Sequence, residues 1–354
     1  MAVSIKDIAR LAGVSHSTVS RALRNSSLIP AATRERIQQI ARDAGYSASA
    51  VARSLVTRRT QAIGVVVTTI ADPFNGDVVA GIEETANERG YSVILANSQA
   101  DPEREMAVVR SFQERRVDGI LVASSRVGAL YVPVLSELNI PIVLLNNQHP
   151  SEFVHSLTID NVHGAYEATR HLIKLGHQKI GYVGDRLGLH SDAERYAGYR
   201  KAMTEAGLKI ERDFVIRGDG KPDAGTTAVR KLLSLAVRPT GIICYNDMTA
   251  LGAFKEVESR RLSVPHDLSI VGFDDLYFAS FLHPPLTTIR QPRALMGRRA
   301  MQMLLELLDG EQITKTEVIC GELVVRGSTA SLNGEATNRS QRERTRRRGP
   351  RSRV

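Results

Sequence analysis

The first fifty residues carry a hydrophobic pattern that predicts short amphipathic helices. In the first of them, apolar residues fall at i, i+3, i+4 and i+7: Ile5, Ile8, Ala9 and Ala12. Ser4, followed three residues later by Asp7, is an N-terminal capping signal for this helix. Gly13 interrupts the pattern, because glycine readily adopts the left-handed backbone that ends a helix. The pattern therefore predicts one helix from about residue 5 to residue 12.

A second and a third helix follow this glycine. Ser15 can cap the second helix, whose inward face consists of Val19, Ala22 and Leu23. The third helix repeats the apolar stripe at four positions: Ile37, Ile40, Ala41 and Ala44. It ends at Gly45. Three short helices, the first two joined by a turn that contains glycine, are typical of a helix-turn-helix domain.

The outward face of the second helix is polar and basic: His16, Ser17, Ser20, Arg21 and Arg24. Side chains of these types hydrogen-bond to phosphates and to base edges in the major groove. Residues 1–60 contain ten Lys and Arg against three acidic residues, which favours a nucleic-acid partner. A solvated bundle with a basic face is the alternative, since outward polarity alone is common. The turn, the caps and the charge together indicate DNA binding.

Four segments resemble the N-terminal signature of the lactose-repressor/galactose-repressor family of bacterial transcription regulators: IKDIA at 5–9, AGVS at 12–15, TVSR at 18–21 and AVARSL at 50–55. The resemblance extends to about residue 328. It implies a homodimer that binds double-stranded operator DNA with two half-sites. It also implies a small-molecule effector that controls the affinity for the operator.

A short amphipathic helix is predicted at 49–57, between the helix-turn-helix and the rest of the chain. Alone, so short a helix is marginal in water and needs a partner to form. In the family that the chain resembles, this hinge helix pairs with its dimer mate in the minor groove and inserts a leucine between base pairs. Leu55 matches that leucine, and we add Ser49 at the helix start to the expected DNA contacts. The alternative is a plain linker.

From residue 62 onward, short apolar runs alternate with helical patterns, which predicts βαβ units, parallel sheets and an α/β fold. The predicted strands are 63–69, 92–97, 119–124, 140–145, 157–160, 180–184, 241–245 and 270–274. The predicted helices include 78–88, 104–115, 165–175 and 195–206. This body resembles the two-lobed type I periplasmic sugar-binding fold. We expect a helix-turn-helix domain at 1–46, a hinge and linker at 47–61, and an effector-binding and dimerisation domain at 62–330. Its lobes are 62–160 and 161–290, with 291–330 crossing back, and a basic tail follows at 331–354.

Polar residues that follow the predicted strands are candidates for the effector site, because ligands of open parallel sheets bind beyond the carboxyl ends of strands. The candidates are Phe74, Asn146, Asn147, Asp160, Arg195, Asn246, Asp274 and Gln291. Amide, carboxylate and guanidinium groups suit vicinal hydroxyls, and an aromatic face suits a sugar ring. The resemblance places five of them on effector-contacting positions of the family: Phe74, Arg195, Asn246, Asp274 and Gln291. The alternative is that Asx residues after strands are turn formers and helix caps.

The sequence departs from the family at Gly220, where many relatives carry an aromatic residue, and at Asn146 and Asn147, where related sugar binders often carry an acid. These departures bear on which ligand is bound. We nevertheless expect a monosaccharide or small sugar derivative, phosphorylated or not, with a purine-type effector as the alternative.

Composition narrows the remaining classes. The net charge is +9, concentrated in the head and in an Arg-rich tail that we expect to be disordered, and the segment between them is mildly acidic. Cys244 and Cys320 lack metal-site spacing, and we expect no metal, no cofactor and no catalytic group. The charged N-terminus and the lack of a long apolar run predict a cytoplasmic protein without a membrane segment. A sugar receptor for transport or chemotaxis, or an enzyme, would fit the body alone but not the head.

Overall fold

The computed structural model describes residues 3–46, 59–125, 127, 140–147, 155–313 and 316–332. The chain divides into two compact units, residues 1–62 and 63–354, which we call the head and the body and describe separately. The predicted hinge helix, with Ser49 and Leu55, lies outside the described residues, as does the tail from residue 333.

The head contains three helices, α1 (Ile5–Ala12), α2 (His16–Leu23) and α3 (Ala31–Asp43). Ser4 and Asp7 form a reciprocal capping box at the start of α1, and Gly13 ends the helix at φ 64°. The Ser15 side chain accepts a hydrogen bond from the Thr18 amide and so caps α2. The head core is small and apolar: Ile8, Ala9, Ala12, Val19, Ala22, Ile29, Ile37 and Ala41. The predicted helix-turn-helix is therefore confirmed.

The body contains two six-stranded sheets. The first sheet has the order β11-β5-β4-β3-β1-β2, and the second has the order β12-β10-β9-β8-β6-β7. The strands are β1 (Ala62–Val67), β2 (Ser92–Asn97), β3 (Gly119–Ala123), β4 (Ile142–Leu145), β5 (Ser156–Ile159), β6 (Ile180–Asp185), β7 (Val215–Gly218), β8 (Gly241–Cys244), β9 (Ser269–Asp274), β10 (Thr287–Arg290), β11 (Glu317–Ile319) and β12 (Glu322–Val324). The pairs β1–β3, β3–β4, β4–β5 and β5–β11 are parallel. In the second sheet β12 runs antiparallel to β10, whereas the pairs from β10 to β7 are parallel. The predicted α/β class is confirmed.

Seven body helices cover the two sheets. They are α4 (Pro73–Glu88), α5 (Pro102–Glu114), α6 (Asn161–Lys174), α7 (His190–Glu205), α8 (Pro222–Ser234), α9 (Asp247–Ser259) and α10 (Arg293–Leu308). Helix α10 packs on α4, β3 and β4 of the first sheet, and together these elements form the N-terminal lobe. Helices α6 to α9 pack on the second sheet and form the C-terminal lobe. None of the helices in the described ranges is long and apolar enough to cross a membrane.

The two helical layers of the C-terminal lobe cover opposite faces of its sheet. Leu172 and Tyr199 pack with the strand residues Tyr182 and Phe273 in one buried cluster. A second cluster joins strand residues such as Ile242 to the apolar faces of α8 and α9. Because both faces are covered, the parallel strands are apolar throughout, as the continuous burial of β8 and β9 shows.

The chain crosses between the lobes three times, at 160, at 291–292 and at 320–321, where strands of one sheet lead into elements of the other lobe. Two consecutive crossings bring Asn161 and Gln291 to the boundary between the lobes. The carboxyl ends of β9 and β10, which are parallel neighbours, lie at the second crossing. This arrangement positions the polar residues described below.

Several expectations about the elements were wrong in detail. Four short strands were not predicted, β7, β10, β11 and β12, because three or four residues give too little hydrophobic periodicity. Helices α4 and α7 begin earlier than expected, and Arg195 lies one turn inside α7 rather than at its start. Proline at the first position of α4 and Asp72 before it form a start signal that the apolar pattern alone does not contain.

Candidate nucleic-acid interface and ligand cleft

Helix α2 presents four exposed side chains on one surface of the head: His16, Ser17, Arg21 and Arg24. Ser20 is half-buried beside them. Among the described residues, neither Arg21 nor Arg24 has a carboxylate partner in a salt bridge, so their guanidinium groups carry charge that no described acid neutralises. Exposed arginines at the start of a helix-turn-helix recognition helix have the donor geometry that matches phosphates and guanine edges.

Two other basic residues of the head are engaged within the fold. Arg36 on α3 donates through Nη2 to the carbonyl of Ala12, the last residue of α1. Arg10 donates through Nη2 to the Asp7 carboxylate at 3.0 Å. Arg36 therefore supports the packing of α1 against α3, which makes it a weaker candidate for phosphate binding than Lys6, an exposed residue of α1.

The ligand-cleft cluster consists of Arg195, Asp274 and Gln291, whose exposed fractions are only 6%, 6% and 2%. Gln291 Nε2 donates to Asp274 Oδ1 at 2.6 Å. Arg195 Nη2 lies 4.0 Å from the same oxygen. The three predicted residues come from a helix, a strand end and a lobe crossing, and the tertiary structure brings them together where the lobes meet.

Arg195 is held from several directions. Its Nε donates to Asn161 Oδ1 at 2.8 Å, and its Nη1 donates to the Tyr245 carbonyl at 2.5 Å. The guanidinium also lies over the Phe273 ring at 3.7 Å and over the Tyr245 ring at 4.7 Å. Asn161 and Tyr245 were not predicted as site residues. Asn161 directly follows Asp160 and Tyr245 directly precedes Asn246, so their positions after strands were the available signal.

Asp274 occupies an unusual environment. Burial raises the pKa of its carboxyl, the neighbouring carboxyls of Asp247 and Asp72 raise it further, and Arg195 opposes the shift. Its backbone lies at φ 124°, and Asp275 follows at φ 53°. Non-glycine residues are rare in such conformations, and strained backbone of this kind is concentrated at functional sites.

Asp247, by contrast, supports the loop that carries Asp274. Its carboxylate is fully buried and accepts hydrogen bonds from the Leu276 amide at 2.7 Å and from Thr288 Oγ1 at 2.6 Å. Burial raises the pKa of the Asp247 carboxyl, while these two hydrogen bonds lower it. Asp247 thus fixes the backbone after β9, and its charge contributes to the negative field at Asp274.

Two predicted effector residues act as helix caps. Asn246 Oδ1 accepts from the Thr249 amide at 2.8 Å at the start of α9, and its Nδ2 donates to the Gly220 carbonyl at 3.0 Å. Asp160 Oδ1 accepts from the His163 amide at 2.8 Å at the start of α6. The capping alternative therefore describes the hydrogen bonds that these side chains make. One Nδ2 hydrogen of Asn246 is not used in these bonds, whereas Asp160 keeps a second carboxylate oxygen.

The N-terminal lobe contributes the remaining predicted residues. Phe74 is half-buried against the core of this lobe, in the first turn of α4. Asn146 and Asn147 directly follow β4; Asn146 has a left-handed backbone at φ 49°, and Asn147 is 3% exposed. Asp72 caps α4 by accepting from the Phe74 amide at 3.0 Å, and burial raises the pKa of its carboxyl. Asp72 was not predicted, although it lies two residues before Phe74.

The cluster is rich in hydrogen-bond acceptors. Gln291 Oε1 is buried and has no hydrogen-bond partner among the described residues. A buried acceptor without a partner is costly, so it indicates a group that is supplied from outside the chain. Together with Asp274, it offers oxygen atoms to a ligand that donates hydrogen bonds.

A helix-turn-helix head, followed by a two-lobed α/β body with a buried polar cluster at the lobe boundary, defines a class of DNA-binding regulators. Residues 4–49 match the family of bacterial regulatory proteins named the lacI family. Residues 169–329 match the periplasmic binding protein-like domain. The two matches divide the chain as its head and body do.

Relatives with assigned roles are similar along nearly the whole chain. The transcriptional regulator RegA of Clostridium saccharobutylicum is 36% identical over 331 residues, which cover 93% of this chain and 100% of RegA. The transcriptional repressor PurR of Haemophilus influenzae strain PittEE is 36% identical over 334 residues, covering 93% of this chain and 99% of PurR. The chain belongs to the LacI family, and it is a DNA-binding transcriptional repressor of that family.

Solved structures agree with this assignment. A Lac repressor dimer bound to operator and the anti-inducer ONPF has a TM-score of 0.86 and 28% identity, covering 93% of this chain and 100% of that chain. The regulator CelR in complex with cellobiose has a TM-score of 0.71 and 30% identity, covering 92% and 99%. A LacI-family regulator of Enterococcus faecium with bound ribose has a TM-score of 0.70 and 27% identity, covering 77% and 99%.

Proposed function

We propose that this protein is a homodimeric cytoplasmic repressor whose affinity for a two-half-site operator is controlled by a sugar bound between the lobes. The observation that carries the proposal is the buried cluster of Arg195, Asp274 and Gln291. A carboxylate accepts two hydroxyl protons, and a guanidinium donates to vicinal oxygens, which suits a polyol. The CelR complex contains cellobiose and the Enterococcus faecium regulator contains ribose, so sugar ligands occur on this fold.

We assign direct contacts with the effector to Arg195, Asp274 and Gln291 and add Phe74, Asn146, Asn147, Asp160 and Asn246 as wall residues. Because Asn246 and Asp160 cap helices, their replacement would also disturb the fold. For the DNA we keep His16, Ser17, Ser20, Arg21 and Arg24 on α2, with Ser49 and Leu55 in the hinge. The division into a head at 1–46, a hinge at 47–61, a body at 62–330 and a tail at 331–354 belongs to the same proposal.

A purine-type effector is the second candidate. PurR repressors are among the relatives, which favours a nucleobase for part of this family. Against it, a flat base is stacked most strongly by aromatic faces, whereas Tyr245 and Phe273 already contact the Arg195 guanidinium.

Calorimetry of the full chain against sugars, sugar phosphates, nucleobases and nucleosides separates the two candidates. We expect a sugar to bind to the wild type, and Arg195→Ala to weaken this binding by about 2–5 kcal/mol because the buried partners lose a charged group. A matched control is Arg200→Ala, which removes an arginine from the same helix outside the cluster. Binding of a nucleobase without binding of any sugar would contradict the sugar assignment, and unchanged binding to Arg195→Ala would contradict the site.

The hinge proposal has a separate test. If Leu55 inserts between base pairs, Leu55→Ala should reduce the bending of operator DNA and weaken operator binding while ligand binding is retained. Gel-shift bending assays on operators with altered central steps measure this effect. Equal bending by the wild type and the variant would leave Leu55 without a role as a wedge.

A further inference from the structure

We propose that the ligand cleft selects an uncharged, donor-rich ligand and excludes the phosphorylated form of the same compound. The inference rests on the proposed function, since it concerns the ligand of that site. Both forms are compatible with a sugar-binding body, so the charge of the ligand is a separate property of this chain. Three structural observations carry it.

Carboxylates approach the cleft from both lobes. Asp274 lies at the end of β9 in the C-terminal lobe, and Asp72 lies before α4 in the N-terminal lobe. The two carboxyls are close enough for Asp72 to raise the pKa of Asp274, and Asp247 adds to the same effect. A phosphate placed between them would meet two like-charged groups in a partly desolvated site, where such repulsion is strong.

The arginine of the cluster is already occupied. Arg195 donates to Asn161 and to the Tyr245 carbonyl, and aromatic rings lie against its guanidinium. Its remaining group, Nη2, lies 4.0 Å from Asp274 Oδ1. A phosphate bound to Nη2 would therefore come directly against the Asp274 carboxylate. The geometry differs from that of phosphate sites, where arginine forks are directed at the anion without an adjacent acid.

The available polar atoms are acceptors. Gln291 is 2% exposed, its Nε2 donates to Asp274, and its Oε1 has no hydrogen-bond partner among the described residues. A hydroxyl or amide N–H of a ligand would satisfy this oxygen, whereas a phosphate has only acceptors at neutral pH. Donor atoms on the ligand are thus favoured and additional negative charge is disfavoured by the same cluster.

The test is a set of matched ligand pairs measured by calorimetry with the full chain: ribose and ribose 5-phosphate, glucose and glucose 6-phosphate, and nucleosides and their 5′-monophosphates. We expect the uncharged member of any binding pair to bind at least about tenfold more tightly, the effect of one unfavourable charge contact in a partly buried site. A phosphorylated sugar that binds as tightly as its parent would overturn the inference while the sugar assignment stands. A nucleoside that binds in preference to its monophosphate would support charge selection and contradict the sugar assignment.

Asp72→Asn tests the cause of the selection. Asparagine can still accept from the Phe74 amide and cap α4, so the fold is preserved while one cleft charge is removed. We expect the ratio of the two affinities to fall by roughly tenfold in this variant. The matched control is Glu84→Gln, which removes one exposed acid of α4 that pairs with Arg298. Equal ratios for the wild type and both variants would show that the facing carboxylates do not select against phosphate.

Discussion

The guanidinium of Arg293 donates to Asp77 Oδ2 from Nε at 2.9 Å and from Nη2 at 2.7 Å. Asp77 belongs to α4 and Arg293 to α10, so this ion pair lies within the N-terminal lobe. The third nitrogen, Nη1, donates to the backbone carbonyls of Asp274 and Asp275 in the C-terminal lobe. One side chain thus connects α4 with the backbone of a ligand-cleft residue, across the boundary between the lobes.

Arg293→Gln should reduce the communication between ligand and DNA, because the backbone at Asp274 would lose its polar connection to α4. Allosteric coupling of this kind typically changes affinity by about 5–150-fold, and we expect the factor to fall towards one in the variant. The measurement is operator affinity with and without saturating ligand. Arg298→Gln is the control, since its ion pair with Glu84 joins α10 to α4 without reaching the C-terminal lobe. An unchanged coupling factor in Arg293→Gln would contradict this role.

Asp274→Asn should stabilise the ligand-free body and weaken ligand binding. The pKa of Asp274 is raised by burial, so its folded carboxyl retains a proton that the unfolded chain releases near pH 3.8. Stability from this group is therefore complete below pH 3.8 and is lost as the pH rises through the folded pKa. Removing the ionisable group should raise the free energy of unfolding above neutral pH by about 1–2 kcal/mol.

Urea denaturation of the wild type and Asp274→Asn at several pH values measures this difference. The stabilisation should shrink as the pH falls, because the wild-type carboxyl is then protonated in both states. Ligand affinity should decrease in the same variant, since a hydrogen-bond acceptor of the cleft is replaced by an amide with a single acceptor oxygen. A variant that is less stable than the wild type at pH 8 would contradict the raised pKa.

Two buried histidines attach the segment 328–332 to the C-terminal lobe. His171 Nε2 lies 2.9 Å from Thr329 Oγ1, and His177 Nε2 lies 3.1 Å from the Ala330 carbonyl. Burial lowers the pKa of both imidazoles below 6.5, and for His171 the neighbouring His177 contributes as well. Their contribution to stability should therefore be present above pH 6.5 and be lost as the pH falls through the lowered values.

The double variant His171→Gln/His177→Gln should remove this pH dependence. We expect the stability difference between the wild type and the double variant to change between about pH 7 and pH 5, in the direction of a less stable wild type at low pH. Thermal unfolding across this range is the measurement, and exposed His163→Gln is the control. A difference that does not vary with pH would show that these imidazoles do not titrate during unfolding.

Arg21 should read the operator sequence. It is exposed on α2, and no described acid forms a salt bridge with it. Arg21→Ala should relax the preference at one base pair of each half-site by about 1–3 kcal/mol, because a bidentate contact with a base edge is lost. Lys6→Ala should instead weaken binding to all sequences alike. Selection of binding sites from random DNA by the wild type and both variants provides the comparison, and identical preferences for Arg21→Ala and the wild type would exclude Arg21 from base reading.

The head could be predicted from sequence almost completely, because its determinants are local. Ser4 and Asp7 cap α1, Ser15 caps α2, and the apolar stripe of each helix lies within a few residues of chain. Caps and periodicity act over three to seven residues, so they can be read directly. The exposure of Arg21 follows from the burial of Val19 and Ala22 on the same short helix.

The body could be predicted in class and in its longer strands, since apolar runs separated by helical patterns indicate a parallel sheet. Its candidate residues could be placed after strands, but their roles could not be separated. Asn246 and Arg195 were predicted alike. Tertiary structure made the first a cap of α9 and buried the second against Phe273 and Tyr245.

Only the tertiary structure decided the chemistry of the ligand cleft. Asp72 and Asp274 are separated by about two hundred residues, and their mutual repulsion exists because two lobes bring the ends of different strands together. The contact of Gln291 with Asp274 likewise depends on where the chain crosses between the lobes. Local patterns specify helices and strands through short-range energetics, whereas burial, field and hydrogen-bond partners at a cleft depend on contacts that are distant in sequence.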